Sequence, residues 1–533
     1  MLDPHDHLIV DHDLYNHEGL TEDGIAEAFI EFAKKENLSF FKPSPSVTPF
    51  DAVKYQQLMD GLEAVELQFS NVLEDNDLFR IDSEYFKIEY LAKLRQLKNL
   101  PYRKIKEFAY VTDGIHESIT FDENSIINLI SAKSPKENIF DLSGNECISP
   151  EQHDKNPRTM LQKDDVIIST VGTIGNCAVV DETILPANSD RHIGIVRIKK
   201  DFKPYLLSTF ILSKYGRFQT IRESTGNVQL NLFIYKIKTL NIPFLSSKFQ
   251  DNIEILVQSA HKSLRQLKDL YQQAEDLLLS ELNLKDWEPT EETIAVKSFA
   301  ESFLSYGRFD AEYYQPKFDE LIERISSYST YTRNIKDIQT FNTRGLQPIY
   351  SNNGTLNVVN SRHILEQHLD YDNFEKTDLS NWNVQKKARI YKNDILIYTT
   401  GANIGRTNVY LTNEQALASN HVNILRLKEE DQIYVGFVIN SVIGRLQTEK
   451  LSAGSAQAEL YPKDIGSFVI PFIAKEKQQQ IINKYILSLE KKLQSKQLLE
   501  IAKTGVEQAI ETDEATATVW MNQQLEALEL ELT

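Results

Sequence analysis

The chain has few of the features that would staple it together or embed it in a bilayer. Its 533 residues include two cysteines, Cys147 and Cys177, too few for a disulfide framework, which points to a reducing compartment. No run approaches the ~18 consecutive apolar residues of a membrane helix. The opening Met1-Leu2-Asp3-Pro4-His5-Asp6-His7 is acidic and lacks the apolar stretch of a secretory signal. A cytoplasmic protein with no membrane partner is the expectation. Hydrophobic residues at 41% and aromatics at 10% supply real cores, which excludes wholesale disorder.

A basic excess is also missing, for the net charge is −19. Its distribution limits what this excludes. Residues 1–78 carry 4 Lys and Arg against 17 Asp and Glu, and residues 507–533 carry none against 7. The 167 residues from 79 to 245 balance at +3 and residues 308–473 at −1. Holding phosphate takes a local basic surface rather than a basic average, so nucleic acid stays open as a partner.

What the chain does contain is a second copy of itself. Arg80-Ile81-Asp82-Ser83-Glu84-Tyr85 returns as Arg308-Phe309-Asp310-Ala311-Glu312-Tyr313, 228 residues later. Asp165-Val166-Ile167-Ile168 meets Asp394-Ile395-Leu396-Ile397, Gly172 meets Gly401, and His192 and Arg197 meet His421 and Arg426, all at 229. Gly216-Arg217 meets Gly444-Arg445, and Ile242-Pro243-Phe244 meets Ile470-Pro471-Phe472, at 228. A period this long is a whole domain with its connector, not a solenoid unit. The copies share punctuation and buried strands but differ in the polar residues between, as one scaffold aimed at two targets would.

Each copy reads as a β-rich globular part followed by a long helix. Strands are expected at 165–170, 177–180 and 192–198, matched by 394–399, 409–411 and 421–427. Short helices are expected over 205–214 and 434–443, with Gly216 and Gly444 as stop signals. Lys248 to Leu282 has no Gly or Pro. Its Ile253, Val257, Ala260, Leu264, Leu267, Tyr271, Ala274 and Leu278 alternate at steps of 4 and 3, a coiled-coil seam. From Lys475 to Ile510 the seam is Ile482, Ile486, Leu489 and Leu493, broken at Ser495-Lys496-Gln497 and resumed at Leu498, Leu499 and Ala502. Two such helices most simply pack on each other. The first seam spans ~38 Å at 1.5 Å per residue, close to one turn of B-DNA at ~34–36 Å. A helix is also expected over 56–73, where Ala64–Phe69 resembles Ile294–Phe299.

The most specific motif is Lys163–Asn176, paired with Lys392–Arg406, in which a buried strand runs into a turn bearing two glycines and returns. No Gly-Lys-Ser/Thr follows, so it is not a phosphate-binding loop. His5, His7, His12 and His17 with their neighbouring aspartates fit no tetrahedral metal spacing, and no metal site is expected. His192 and His421 read as strand-edge hydrogen-bonding residues.

In the hairpins, the Arg-x-Asp-x-Glu-Tyr openings, the Ile-Pro-Phe closures and the Gln-bearing helices (Gln250-Asp251, Gln478-Gln479-Gln480), repeated in order over roughly residues 60–510, the chain resembles the specificity subunits of type I restriction–modification systems. Gly24–Glu36 resembles the tail of the modification subunit of these systems, which suggests that this arm docks on the helical spacer. The resemblance implies an α+β, pseudo-twofold architecture, with two tandem target recognition domains separated by an antiparallel coiled coil. The boundaries expected are an acidic arm at 1–47, a helical lead-in at 48–78, target recognition domains at 79–245 and 308–473, spacer helices at 246–285 and 474–512, a linker at 286–307 and an acidic tail at 513–533.

The resemblance also implies a non-catalytic chain that binds an asymmetric, bipartite site on double-stranded DNA. Two modification subunits would bring S-adenosylmethionine and adenine methylation, and restriction subunits would bring ATP, Mg2+ and cleavage. No cofactor is expected in this chain, in which no motif for methylation or ATP-driven translocation and no nuclease carboxylate cluster is found. The residues expected to touch DNA are Thr170, Gly172, Thr173, Asn176, Arg217, Arg222, Asn227 and Gln229 in the first copy, and Thr399, Gly401, Asn403, Arg406, Arg445, Lys450, Ser455 and Gln457 in the second. Arg and Lys would hold phosphates, and Asn, Gln and Thr can read base edges. Lys155–Arg158 and Arg344–Asn353 are further reading strings, being most unlike between copies, while Phe218, Phe233 and Tyr461 read as core. A DNA-binding regulator outside restriction and a protein-interaction adaptor are the alternatives.

Overall fold

The computed structural model describes residues 80–226, 229–452 and 458–530, preceded by Phe32, 34–36, Val53, 67–73 and Asn76. The expected arm, its histidine cluster and most of the lead-in lie outside the described residues. Two units divide at Ile88. In the first, Phe69–Leu73 is helical, and Arg80 pairs with Asp82 at 2.7 Å while lying over the Tyr85 ring at 4.8 Å.

The second unit begins with a globular part built on eight strands: β1 (Tyr102–Lys104), β2 (Ala109–Asp113), β3 (Asn128–Ile130), β4 (Val166–Ser169), β5 (Cys177–Val179), β6 (Ala187–Ser189), β7 (Ile193–Ile198) and β8 (Asn241–Pro243). Order β2-β7-β4-β5 makes an antiparallel sheet in which Val166 faces Val179 on one side and Val196 on the other. All four residues of β4 are buried, as an apolar run between two neighbours requires. An outer pair, β3 and β6, runs parallel with Asn128 opposite Ala187, and β1 pairs with β8 to close the part.

Pro204–Leu212 (α1) starts on a proline at its first turn, and the Ser213 side chain then caps Lys214–Glu223 (α2) by accepting from the Gly216 N–H. Gly216 is therefore not a stop signal but lies inside the second helix. A Cβ there would sit 2.2 Å from the Phe210 carbonyl oxygen, so glycine is what lets the two helices meet at this angle. Gly444 repeats the case, 1.9 Å from the Ile439 carbonyl. Close approach, rather than helix termination, put both glycines in the sequence.

Ser247–Glu281 (α3), capped by Ser246, is the first long helix. The second globular part follows, with Pro316–Tyr328 (α4), β9 (Tyr331–Asn334), β10 (Gln339–Arg344), β11 (Leu356–Val359), β12 (Glu375–Thr377), β13 (Arg389–Ile390), β14 (Ile395–Tyr398), β15 (Thr407–Val409), β16 (Ala416–Ala418), β17 (Val422–Leu427), Gln432–Asn440 (α5), Val442–Ser452 (α6) and β18 (Val469–Phe472). Sheet β10-β17-β14-β15 repeats the first, β9 pairs β18 as β1 pairs β8, and β11 runs parallel to β16 with Asn357 opposite Ala416. In the outer sheet the second copy extends into β12 and β13 the pairings that the first keeps as single bridges, Asn128 to Cys147 and Met160 to Asn188.

Two side-chain devices recur in both copies. Arg197 grips the buried Asp165 through two contacts of 2.7 Å, and Arg426 grips Asp394 at 2.7 and 2.8 Å. Gln219 exchanges two hydrogen bonds with the Asn241 backbone, as Gln447 does with Val469. The opening motif repeats too: Arg308 pairs with Asp310 and lies 4.5 Å over the Tyr313 ring. Ahead of the second copy, residues 290–298 are irregular before the single turn Ala300–Leu304.

Lys475–Glu511 (α7) runs antiparallel to α3. Lys477 meets Glu281 at 2.8 Å and Lys484 meets Gln273 at 2.7 Å, while toward the other end Leu256, Val257 and Ala260 share a core with Leu498, Ile501 and Val506. The first seam is as expected, except that Leu264 is only half-buried. The second is shifted. Leu493 is 56% exposed and Ile486 and Leu489 are half-buried, while Ile481, Ile482, Tyr485, Ser488, Ser495, Leu498, Ala502 and Val506 are buried. Ser495 thus continues the stripe rather than interrupting it; its small side chain hid it from an apolar periodicity. The expected C-terminal tail includes a helix, Glu514–Ala527 (α8), whose Met521 lies against Gly505 of α7.

Each globular part shares its core with one end of this rod. Phe210, Tyr215 and Phe218 pack in one cluster with Ile253, Leu256, Ile501 and Val506. Tyr434, Val435 and Phe437 pack in another with Tyr271, Leu278, Ile481 and Tyr485. Among the described residues no helix is long and apolar enough to cross a membrane.

Removing one arginine of the buried grips strands a carboxylate in the core. Arg197→Met or Arg426→Met is expected to cost roughly 3–5 kcal/mol, read as a lowered midpoint in chemical denaturation of the corresponding copy. Hydrogen bonds from Arg308 hold the Asp310 carboxyl below its ordinary value of 3.8. That contribution is complete above the ordinary value and is lost as pH falls through the lowered one. Stability should therefore fall less steeply on the acid side in Arg308→Gln than in the parent chain.

Candidate nucleic-acid interface

The hairpins and the loops that follow α2 and α6 come together at equivalent places in the two copies. Val171 bridges Asn231, and the Leu232 N–H donates to the Thr170 carbonyl at 2.9 Å. In the second copy Thr400 bridges Glu459, and the Leu460 N–H donates to the Thr399 carbonyl at 2.9 Å. His192 and His421 each offer a backbone carbonyl to the next strand's threonine N–H, at 3.0 and 3.1 Å, the strand-edge role expected of them.

Both hairpins turn through left-handed glycines. Gly172 and Gly175 have φ of 74° and 79°, and Gly401 and Gly405 have 112° and 89°. A Cβ at Gly175 or Gly405 would stand 2.7 Å from the hydroxyl of Thr220 or Thr448, so the second glycine of each hairpin is fixed by a helix rather than by a ligand. Gly172 meets nothing within 4 Å, and it and Thr173 are exposed, as is Asn403. Thr170 and Thr399 are buried and serve the backbone network.

The cations expected to hold phosphates are mostly engaged. Arg217 donates to the Ile174 carbonyl at 2.9 Å and to Asn176 Oδ1 at 2.7 Å, so it braces the turn, and burial pushes its pKa down. Arg222 is buried beside Glu223, which also pairs with the buried Lys236 at 2.7 Å. Lys450 lies 5.0 Å over the Tyr313 ring and 3.5 Å from Asp319, tied to the opening motif. Each of these three is spent on neighbouring groups of its own copy. Arg445 is 57% exposed and lies 3.7 Å from Glu275 of the rod. Arg406 opens on the space between the copies. Gln229 is exposed. Asn227, Ser455 and Gln457 lie outside the described residues.

The two further reading strings are partly spoken for. Arg158 donates to the Asp113 carboxylate at 2.5 Å, and Lys155 meets Glu117 at 3.1 Å. Burial pushes the Asp113 carboxyl up, but hydrogen bonds from Arg158 and His116 outweigh it and hold it below its ordinary value. Arg344 donates to the Leu460 carbonyl at 2.9 Å and lies 4.6 Å over the Tyr461 ring.

Exposed aromatics are what the sequence reading missed. Phe218 is core, but Phe233 is 49% exposed and stacks on the equally exposed Tyr235, ring centres 5.8 Å apart and 11° from parallel. Tyr461, the counterpart of Phe233, is 52% exposed. Each copy thus presents an aromatic face beside its loop, able to stack on a base or flank a groove. The signal was available, since Leu232-Phe233-Ile234 and Leu460-Tyr461 put the aromatic out of phase with the buried leucine. Among the described residues no cluster of side chains could hold a metal.

Residues 330–503 match the family described as the type I restriction modification DNA specificity domain. No curated protein matches the chain. Solved structures with similarity include a type I restriction-modification system S subunit from M. genitalium, at 12% identity over 81% of this chain and 96% of that one, TM-score 0.38. The HsdS subunit from Thermoanaerobacter tengcongensis is 14% identical over 81% and 97%, TM-score 0.24.

Asn176 and the Ile174 carbonyl both depend on one guanidinium. Arg217→Ala is expected to cost about 1–3 kcal/mol in thermal or chemical unfolding, and Arg217→Lys to recover little of it, because an ammonium cannot span both acceptors.

Proposed function

We propose that this chain, whose residues 330–503 carry a type I restriction modification DNA specificity domain, is the DNA-addressing subunit of a type I restriction–modification complex. The observation that carries the proposal is the pairing of that domain with a second copy of its architecture on the opposite end of one antiparallel helix pair. Two unlike copies at a fixed separation select a bipartite, asymmetric target. Each copy answers for one half, and the rod answers for the gap. The family match and the duplicated sheets support this reading, while the unlike exposed residues of the two copies would give each half its own sequence.

Within such a complex the chain supplies the address and its partners supply the chemistry. Two modification subunits would carry S-adenosylmethionine and methylate adenine. Restriction subunits would carry ATP and Mg2+ and cut. The exposed Phe233–Tyr235 pair, Tyr461, Gln229, Thr173 and Asn403 are the groups placed to meet bases, and Arg445 and Arg406 those placed to meet phosphates. The cytoplasm, where the chromosome lies, is the proposed location.

Long-read detection of methyladenine in a host with and without this chain tests the function. A split motif should vanish with the chain, and exchanging residues 308–473 for those of a relative should rewrite one half only. Methylation that persists without the chain would point instead to a DNA-binding regulator, and DNA binding that never responds to salt would point to a protein adaptor.

A further inference from the structure

Between the two globular parts the middle of the rod is uncovered. A cleft of about 740 Å3 opens there, walled by residues 136–143 of the first copy, 365–368 of the second and the α3 face around Leu264. A second hollow of about 340 Å3 adjoins it across Lys492. This is the stretch where Leu264 leaves the seam and Ser495 narrows it.

Five cations line the larger cleft: Lys136, Arg265, Lys268, Arg406 and Lys492. Among the described residues none of them has a carboxylate within 4.0 Å. The three carboxylates on the same walls are otherwise engaged. Asp141 accepts from the Ser143 N–H at 3.1 Å, Asp181 caps Thr183 at 2.8 Å, and Glu366 lies 4.0 Å from Arg445. The acidic excess of the chain lies in residues 1–78 and 507–533, and none of the described residues there lines the cleft. Burial pushes the Lys492 ammonium below its ordinary value, although Asp370 and Asp372 favour its charge. Keeping an unmatched cation partly out of water is costly unless an anion arrives to offset it. Burial also lowers His368 to about 4, so it is neutral near pH 7, and its Nδ1 is buried without a hydrogen-bond partner.

We infer that this cleft holds the sugar–phosphate backbone of the unread DNA between the two half-sites, as a third contact blind to sequence. The inference rests on the bipartite address proposed above. The walls belong to both copies and to the centre of the rod, so a duplex spanning both copies passes the gap they leave. Two guanidiniums and three ammoniums suit phosphodiester oxygens, the guanidiniums by paired donors and the lysines as point charges. Phosphates seated there would fix the rotation of one half-site relative to the other. The gap would then be set by helical phase as well as by rod length.

Arg265 and Lys268 are exposed on α3, so Arg265→Gln with Lys268→Gln leaves both cores intact. The full chain with its native partners is titrated by anisotropy against a duplex carrying the mapped split motif, at several salt concentrations. The slope of log K against log salt should become shallower by about 1.8, at ~0.9 per phosphate contact, with the preference for each half-site unchanged. An unchanged slope, in a parent complex that does bind the motif, overturns the cleft assignment and leaves the address standing. A parent complex with no salt-sensitive binding to the motif overturns both. If the variant instead sheds a partner subunit on size exclusion while the slope holds, an acidic segment of that partner occupies the cleft and the inference fails. Heat protection by free ATP in the parent but not the variant, again with the slope unchanged, would replace DNA by a small phosphate ligand and likewise overturn it.

Discussion

The sharing of each globular core with one end of the helix pair is the constraint on which the rest of the molecule depends. Ile253, Leu256, Ile501 and Val506 serve the first copy's core, and Tyr271, Leu278, Ile481 and Tyr485 serve the second's. These residues hold α3 to α7 and hold a sheet domain to the pair at the same time. Burying side chains of this size contributes ~1.5–3 kcal/mol each, so neither copy can swing on the rod without exposing the seam that keeps the rod together. Spacing and orientation are thus set by packing rather than by a linker.

Duplication explains which residues are fixed and which vary. The Arg–Asp grips, the Gln clamps and the helix-crossing glycines recur because each satisfies a buried group or a close approach that the sheet imposes in both places. The outer sheets keep the same pairings in both copies, but the second copy extends two single bridges of the first into strands. Exposed aromatics stand beside the equivalent loops, but one stacks on Tyr235 and the other lies under Arg344. The scaffold is common to both copies, and the surfaces it presents are not.

The repeat offset, the strand runs and the first seam make the fold legible in the sequence. Each is carried by bulky apolar residues, whose burial follows from spacing alone. Three of the misreadings share one cause, which is that small residues are ambiguous. Gly216 and Gly444 resemble helix stops but are contact points between helices, and Ser495 resembles a break but fills the seam. The candidate site was less legible. Arg217, Arg222 and Lys450 have the chemistry of phosphate binders, and only three-dimensional packing shows them spent on a turn, on Glu223 and on Tyr313. The cleft cations come from both copies and both long helices, and no local pattern brings Lys136 to Lys492.

The length of the rod is the most direct handle on whether the two copies are held at a set distance. Seven residues inserted into α3 after Leu264, with seven more into α7 between Ser488 and Ser495, keep the seam in phase and lengthen the pair by ~10 Å. Methyladenine mapping would then compare the split motif before and after. At ~3.4 Å per base pair a gap longer by about three base pairs is expected, with both half-sites unaltered. A gap of the original length, with methylation intact, would contradict a rigid spacing between the two copies.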